Sequence, residues 1–265
     1  MISNESNTIY IHPEAKIGKN VIIRPFCYID KDVVIGNNCE IGPQATILSG
    51  ARIGNHCKIF PGAVISAVPQ DLKFSGEYTT VEIGDYTTIR EYVTINRGTK
   101  FNNKTVVGSN CLIMAYCHIA HDCIVGNHCI MANCVNLAGH VIIEDNVTLE
   151  GLVAVQQFVR IGTQSFITGG SLVRKNVPPY VKAAREPLSY VGINTIGLQR
   201  KGYDIETIQH IEDIYRWLFV KGYNTSNALK LIEDHIPDTK YKEYIVNFVR
   251  TSNKGIMRGV SGGTT

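Results

Sequence analysis

An aliphatic residue returns at every sixth position from Val107 to Val173, through Ile113, Ile119, Val125, Met131, Leu137, Ile143, Leu149, Val155, Ile161 and Ile167. Four positions after each comes something small or β-branched, beginning Cys111, Cys117, Cys123, Cys129, Val135 and Val141 and ending Ser165, Ser171 and Val177. A period of six matches neither the 3.6-residue turn of a helix nor the alternation of a long strand. It does fit a short strand that turns a corner every six residues, so the repeat predicts a parallel β-helix. Position i+4 and the next i are two apart on one face of a short strand, and both therefore enter the bore. The outward corners fall at i+2 and i+3. Pairs such as Gly36-Asn37, Gly54-Asn55, Gly84-Asp85 and Gly126-Asn127 read there as residues that accept the left-handed backbone of a tight bend. Three hexads close a triangular coil of eighteen residues, which stacks each residue on the one eighteen further along.

The same hexads begin at Ile11 and continue to Ile65. They break over Val68 to Tyr78, resume at Ile83, Ile89 and Ile95, and break again over the basic, Asn-rich stretch Arg97 to Lys104. Both breaks read as loops thrown out from the wall, where repeat proteins tend to bind. At Val177-Pro178-Pro179-Tyr180 two prolines are expected to cap the bore and end the ladder. Beyond them the period becomes helical. Asp204 is a candidate N-cap for a helix over 205–220 with Ile205, Ile208, Ile211, Tyr215 and Leu218 in one stripe, stopped by Gly222. Further helices are expected over 225–235 and 238–251, followed by a frayed Gly- and Ser-rich tail from Ser252. The expected organisation is a mainly β domain over 1–190, with external loops near 68–80 and 97–106, and a small C-terminal helical domain over 191–265.

The chain has 265 residues, 18% of them charged, and a net charge of +3. That total is too small to point to nucleic acid or a membrane surface. The sequence lacks an 18-residue apolar run, and Met1-Ile2-Ser3-Asn4-Glu5 is no charged-then-apolar leader; the reading is cytoplasmic, with no integral membrane segment. Seven of the eight cysteines (Cys27, Cys39, Cys57, Cys111, Cys117, Cys123 and Cys129) sit in the small i+4 slot, and no C-x-x-C pair occurs. They read as small buried hydrophobes in a reducing compartment rather than as disulfide or metal ligands.

Three of the eight histidines, His118, His121 and His140, fall close together. His121 and Asp122 occupy the corner of their hexad; one coil on stand Gly139 and His140, and the next coil brings Gln157 and Phe158. At about 4.8 Å per coil, His121 lies beside the backbone of Gly139. A general base beside an unencumbered glycine amide suits acyl transfer: His121 takes the proton of an attacking hydroxyl, and the Gly139 N–H receives charge developing on a carbonyl oxygen. Asp122 orients the imidazole if the corner bends suitably. The competing readings are idle polar corner residues, and a zinc site using His118 and His121, whose spacing across a corner does not aim both at one ion.

At these residues the chain resembles the UDP-N-acetylglucosamine O-acyltransferases that begin lipid A synthesis in Gram-negative bacteria. The motifs are P69-Q-D-L-K-F-S-G76, I89-R-E-Y-V-T-I-N-R-G-T99, H118-I-A-H-D-C123, L137-A-G-H-V141, V177-P-P-Y-V181 and G192-I-N-T-I-G-L-Q-R-K-G202. The resemblance implies a left-handed parallel β-helix and a homotrimer with active sites in clefts between subunits. It also implies transfer of a (R)-3-hydroxyacyl group from acyl carrier protein to the 3-hydroxyl of UDP-N-acetylglucosamine, with neither metal nor cofactor. His121 matches the general base, Asp122 its partner and Gly139 the oxyanion donor. Asp71, Lys73, His118, His140, Gln157, Asn194 and Arg200 match substrate-contacting residues, and Gly169 matches the floor of the acyl pocket, leaving room for a long donor chain. Gln156 stands where many members have histidine; Asn96 and Pro187 likewise depart from the pattern, which puts details of sugar and nucleotide binding in question. Lys73, Arg200 and Lys201 suit a diphosphate, while Arg216, Lys221, Lys240 and Lys242 are candidates for docking an acidic carrier. An N-acyltransferase on a related amino-sugar nucleotide and a non-catalytic β-helix scaffold remain as alternatives.

Overall fold

A computed structural model describes residues 8–259. Strands of two to four residues stack into three parallel sheets around a closed bore, the arrangement that the hexads predict. The first sheet runs from Tyr10–Ile11 to Leu172–Val173, the second from Lys16–Ile17 to Arg160–Ile161, and the third starts at Ile22–Ile23. Register is strict: Ile119 pairs with Leu137 and Leu137 with Val155. Across the two breaks Ile65 pairs with Ile95, thirty residues on, and Ile95 with Ile119, twenty-four on. The extra residues form the loops over 68–79 and 97–103, and the second loop is shorter than expected because pairing resumes at Lys104.

Both core columns are buried from Val21 onward, as Ile119, Leu137, Cys123 and Val141 illustrate, while Ile11, Ala15 and Ile17 of the first coil are only partly covered. The seven repeat cysteines are more than small hydrophobes, because each Sγ donates to the carbonyl that follows the strand one coil on. Cys57 reaches Gly84 O at 3.2 Å and Cys123 reaches Ala138 O at 3.1 Å; Thr87 fills the same role toward Gly108 O at 2.7 Å. A carbonyl facing the bore would otherwise be an orphaned acceptor.

The corners differ from expectation by one residue. Left-handed backbone falls at i+3, at Asn38 (φ 57°), His56, Asp122 and His140, and not at Gly36, Gly54, Gly84 or Gly126. Gly36, at i+1, is required by close approach: a Cβ there would lie 2.5 Å from Gly54 O in the next coil.

Nor do the prolines end the ladder. Pro178 and Pro179 lack donors only at their own positions, and Val181–Ala184 pairs parallel with Phe166–Ile167 before Ser189–Ile193 adds the sole antiparallel strand among the described residues. The helical part comprises α1 (Thr195–Arg200), which the sequence reading missed, α2 (Ile205–Tyr215), α3 (Thr225–His235) and α4 (Lys240–Arg250). Asp204 caps α2 through Thr207 N at 2.7 Å, and a π-turn over Arg216–Val220 continues it. Ile205 leaves the expected stripe and is 79% exposed. Tyr215 Oη donates to Pro179 O at 2.6 Å, and Arg160 joins the second sheet to Phe248 of α4. The tail is not frayed over 256–258, where Ile256 bridges Asn176 and Arg258 bridges Ser189; residues 260–265 lie outside the described residues. No described helix is long and apolar enough to cross a membrane.

These corners make a testable distinction. Gly36→Ala should cost about 1–3 kcal/mol through overpacking against backbone that cannot yield, Asn38→Ala about 1–2 kcal/mol through its left-handed φ, and Asn38→Gly close to nothing. Urea unfolding of the three variants checks this; a harmless Gly36→Ala would return the glycine to the bend itself.

Candidate active site

Both loops leave from the corner between the first and second sheets, the corner that carries His121, Gly139 and Gln157. This shared exit is what encloses the site. Asp122 is fully buried there, and its Oδ2 lies 2.8 Å from His121 Nδ1. The second loop folds over the carboxylate: Thr99 donates its N–H (3.0 Å) and Oγ1 (2.7 Å), and Asn102 its N–H (3.1 Å). The Asp122 N–H is itself taken by Thr105 Oγ1 at 2.8 Å. Burial pushes the Asp122 carboxyl up, yet the hydrogen bonds from His121, Thr99 and Asn102 outweigh it and hold the group below its ordinary range. An ionised Asp122 accepts the Nδ1 proton of His121 and leaves Nε2 as the lone-pair nitrogen.

Nε2 faces Gly139. A Cβ at that glycine would lie 2.7 Å from His121 Cε1 and Nε2, so only glycine lets the ring pack over the backbone. At the second corner the equivalent amide is taken by an Asn or Asp side chain one coil on, as when Asn37 N donates to Asn55 Oδ1 and Asn127 N to Asp145 Oδ1. Gln157 offers Gly139 no such acceptor, and the Gly139 N–H has no partner among the described residues. The corner thus presents a lone pair and a free donor side by side.

His140 stands edge-on to His121, with ring centroids 5.0 Å apart, and stacks on Phe158 at 4.4 Å, while Phe101 of the second loop closes its edge at 4.5 Å. Its Nδ1 is buried without a hydrogen-bond partner among the described residues, 3.8 Å from Asp122 Oδ2. Burial lowers the His140 pKa, as it does for His118, whose Nδ1 meets Thr94 Oγ1 at 2.7 Å. Asp71 and Lys73, on the first loop, act electrostatically on His140. Glu77 ties the two loops together by accepting from Ser75 N and Lys100 N, and backbone hydrogen bonds, first its own, pull its carboxyl down to about 2.

His121, Asp122 and His140 also place one ligand atom each within 4.8 Å of one another. A cation there would have to displace His121 from a carboxylate whose oxygens already accept from Thr99 and Asn102. The donor set therefore suits a hydrogen-bonded dyad better than a metal.

Other expected residues lie elsewhere on the chain. Gln156 and Gln157 continue the same corner. Gly169 falls on the corner between the third and first sheets, with a would-be Cβ 3.1 Å from Gly151 O. Asn194 caps α1 and donates Nδ2 to Gln164 O (2.8 Å) at the second corner, and Arg200 ends that helix. One chain alone does not bring these three to His121. Among the carrier-docking candidates, Lys242 is only 4% exposed, its Nζ held by Glu233 O, Ile236 O and Asp238 Oδ1 at the end of α3, and is withdrawn. Arg216 pairs with Asp213, and Lys221 lies over the Trp217 ring. The sequence reading missed Thr99, Asn102, Thr105 and Phe101. The available signal was that the loop holding Thr99, Phe101 and Asn102, with Thr105 in the strand that follows it, interrupts the corner column one coil before His121.

A family model described as Udp N-acetylglucosamine O-acyltransferase, domain 2, matches residues 176–257, and one described as bacterial transferase hexapeptide (six repeats) matches 32–67 and 104–139. The chain is similar to a solved UDP-N-acetylglucosamine acyltransferase from Bacteroides fragilis, at 52% identity and TM-score 0.94, covering 97% of this chain and 100% of that one. The Francisella novicida UDP-N-acetylglucosamine acyltransferase is 40% identical over 98% of this chain and 95% of its own, with TM-score 0.93. A curated acyl-[acyl-carrier-protein]--UDP-N-acetylglucosamine O-acyltransferase of Myxococcus xanthus is 38% identical over 107 residues, 40% of this chain and 42% of that protein. The matched stretches span 32% to 42% of the curated relatives' lengths.

The lowered histidines give a pH signature. Unfolded histidine takes up a proton below about pH 6.5, while His118 and His140 stay neutral further down. Stability is therefore full above that value and falls as pH is lowered through it toward the folded-state pKa. Denaturation titrations from about pH 8 to about pH 5 should show that slope and its partial loss in His140→Gln; an unchanged slope would mean that His140 titrates alike folded and unfolded.

Proposed function

The chain belongs to the UDP-N-acetylglucosamine O-acyltransferase family, and from that premise we propose that it transfers a (R)-3-hydroxyacyl group from acyl carrier protein to the 3-hydroxyl of UDP-N-acetylglucosamine, the first step of lipid A biosynthesis. The observation that carries the reading is the His121–Asp122 dyad facing the free amide of Gly139. His121 Nε2 removes the proton from the sugar 3-hydroxyl as that oxygen bonds to the thioester carbonyl carbon. The tetrahedral oxyanion accepts from the Gly139 N–H. Asp122 stabilises the imidazolium and keeps the proton on Nδ1. Collapse re-forms the carbonyl and breaks the C–S bond, and the departing thiolate takes the proton from His121 Nε2. No covalent enzyme intermediate is needed, because a thioester is activated enough for direct attack.

We further propose that the enzyme is a cytoplasmic homotrimer whose sites lie between subunits. The scatter of Gly169, Asn194 and Arg200 over other corners supports this, since a neighbouring copy is what returns such residues to one cleft. Asp71 and Lys73 serve the acceptor, with His118, His140, Gln156 and Gln157 lining the same corner. Gly169 bounds the acyl chain, which favours long donors.

An acyl-transfer assay with UDP-N-acetylglucosamine and carrier proteins bearing acyl chains of graded length tests the reading. Product should form with long 3-hydroxyacyl donors and fall by ~10²–10⁴-fold in His121→Ala; retained turnover in that variant would remove His121 as the base. Gly139→Ala should lose turnover comparably without unfolding, because the added methyl pushes the base out of line. Circular dichroism beside the assay separates these, and an active Gly139→Ala would show that the ring does not need its seat on the glycine.

A further inference from the structure

Past Gln157, the corner that carries the dyad ends in a basic rim. Lys175 occupies the next stacked position, three coils beyond His121 and so about 14 Å along the edge at ~4.8 Å per coil. The C-terminal stretch returns here: the bridges of Ile256 to Asn176 and Arg258 to Ser189 pin it against this end of the β-helix. They deliver Lys254, whose Nζ lies 5.9 Å from the centre of the Phe158 ring, the ring that stacks on His140. A cavity of about 340 Å³ opens beside them, floored by Leu172, Pro187, Leu188 and Met257 and rimmed by Arg174, Lys175 and Arg258. Of the four cations only Arg174 is in an ion pair among the described residues, with Glu186 at 2.6 Å. The whole chain carries a net charge of just +3, so two cations without an ion pair on one apolar pocket, Lys175 and Arg258, with Lys254 on the same C-terminal stretch beside Phe158, are a local concentration of charge.

We propose that this rim is the docking surface for the acidic protein that carries the acyl thioester. The inference rests on the acyl-transfer reading, and it moves the docking contacts from the helix faces around Arg216, Lys221 and Lys240 to the end of the catalytic edge. An apolar floor inside a cationic rim fits a partner that presents an apolar side chain within an acidic surface. Continuity with the dyad supplies the second argument. A flexible thiol arm anchored at the rim runs along the edge past Lys254 and Phe158 to reach the carbonyl-binding position between His121 and Gly139, and Lys254 suits the phosphate at the root of such an arm. Neither Lys175 nor Arg258 touches the dyad, so their charges act on carrier encounter and not on the chemical step.

Direct binding and two donors test this together. Fluorescently labelled holo-acyl carrier protein should bind the wild-type enzyme with an affinity that falls as salt rises. The pair Lys175→Glu and Arg258→Glu should weaken binding at least tenfold, and the milder Lys175→Gln severalfold. Transfer from an acyl-pantetheine thioester, which has no protein to dock, should proceed at the wild-type rate in both variants, showing that the fold and the dyad are intact. Unchanged carrier binding in the charge-reversed pair would overturn the assignment. So would equal loss with both donors. Should the wild type bind carrier in this salt-dependent, rim-dependent way yet transfer nothing to UDP-N-acetylglucosamine, the docking surface stands and the proposed reaction fails.

Discussion

Everything in this structure depends on the backbone ladder that joins each coil to the next. A strand of two residues gains almost nothing alone, but every N–H and C=O at the strand positions is matched one coil away, so the coils must close in register. Extra residues cannot be accommodated inside a strand without sliding every later side chain from core to solvent. They can leave only where the ladder is already interrupted, at a corner. Both insertions leave at one corner, and that choice makes one edge of a uniform prism into a walled site.

The ladder also sets the chemistry at that edge. Stacking at about 4.8 Å forces the His121 ring onto the residue one coil on, where anything larger than glycine would collide with it. The left-handed backbone of Asp122 at i+3 brings its carboxylate back to His121 Nδ1, so adjacent residues meet. Burying that carboxylate would be costly without partners. Thr99 and Asn102 supply them, which makes the second loop a part of the dyad rather than a cover over it.

Much of this was legible in the sequence, because a period is a global signal: the hexads fix the sheets, the coil length and the stack of His121 on Gly139 without knowledge of any contact. What the period could not say was local. It marked a bend near Gly36 but not which residue carried the positive φ, and close approach of two backbones proved to be the reason for the glycine. Pro178 and Pro179 interrupt donors without preventing Val181 from pairing. Thr99 and Asn102 sit in a loop with no period, so nothing in their spacing pointed to Asp122. Lys242 looked like a solvated cation on a helix face, yet the carbonyls at the end of α3 converge on it, and convergence from another element is invisible along one helix. Gly169, Asn194 and Arg200 came from family resemblance, and their dispersal over a single chain is why no reading of one coil could assemble them.

The most direct test of the account is a crystal structure of the assembled protein with UDP-N-acetylglucosamine bound. The account places the sugar 3-hydroxyl within hydrogen-bond reach of His121 Nε2, about 2.6–3.2 Å, with Asp122 still on Nδ1 and the Gly139 N–H facing the space where the thioester carbonyl must enter. A sugar held at another corner, or one whose 3-hydroxyl meets a different base while His121 Nε2 contacts only solvent, would contradict it.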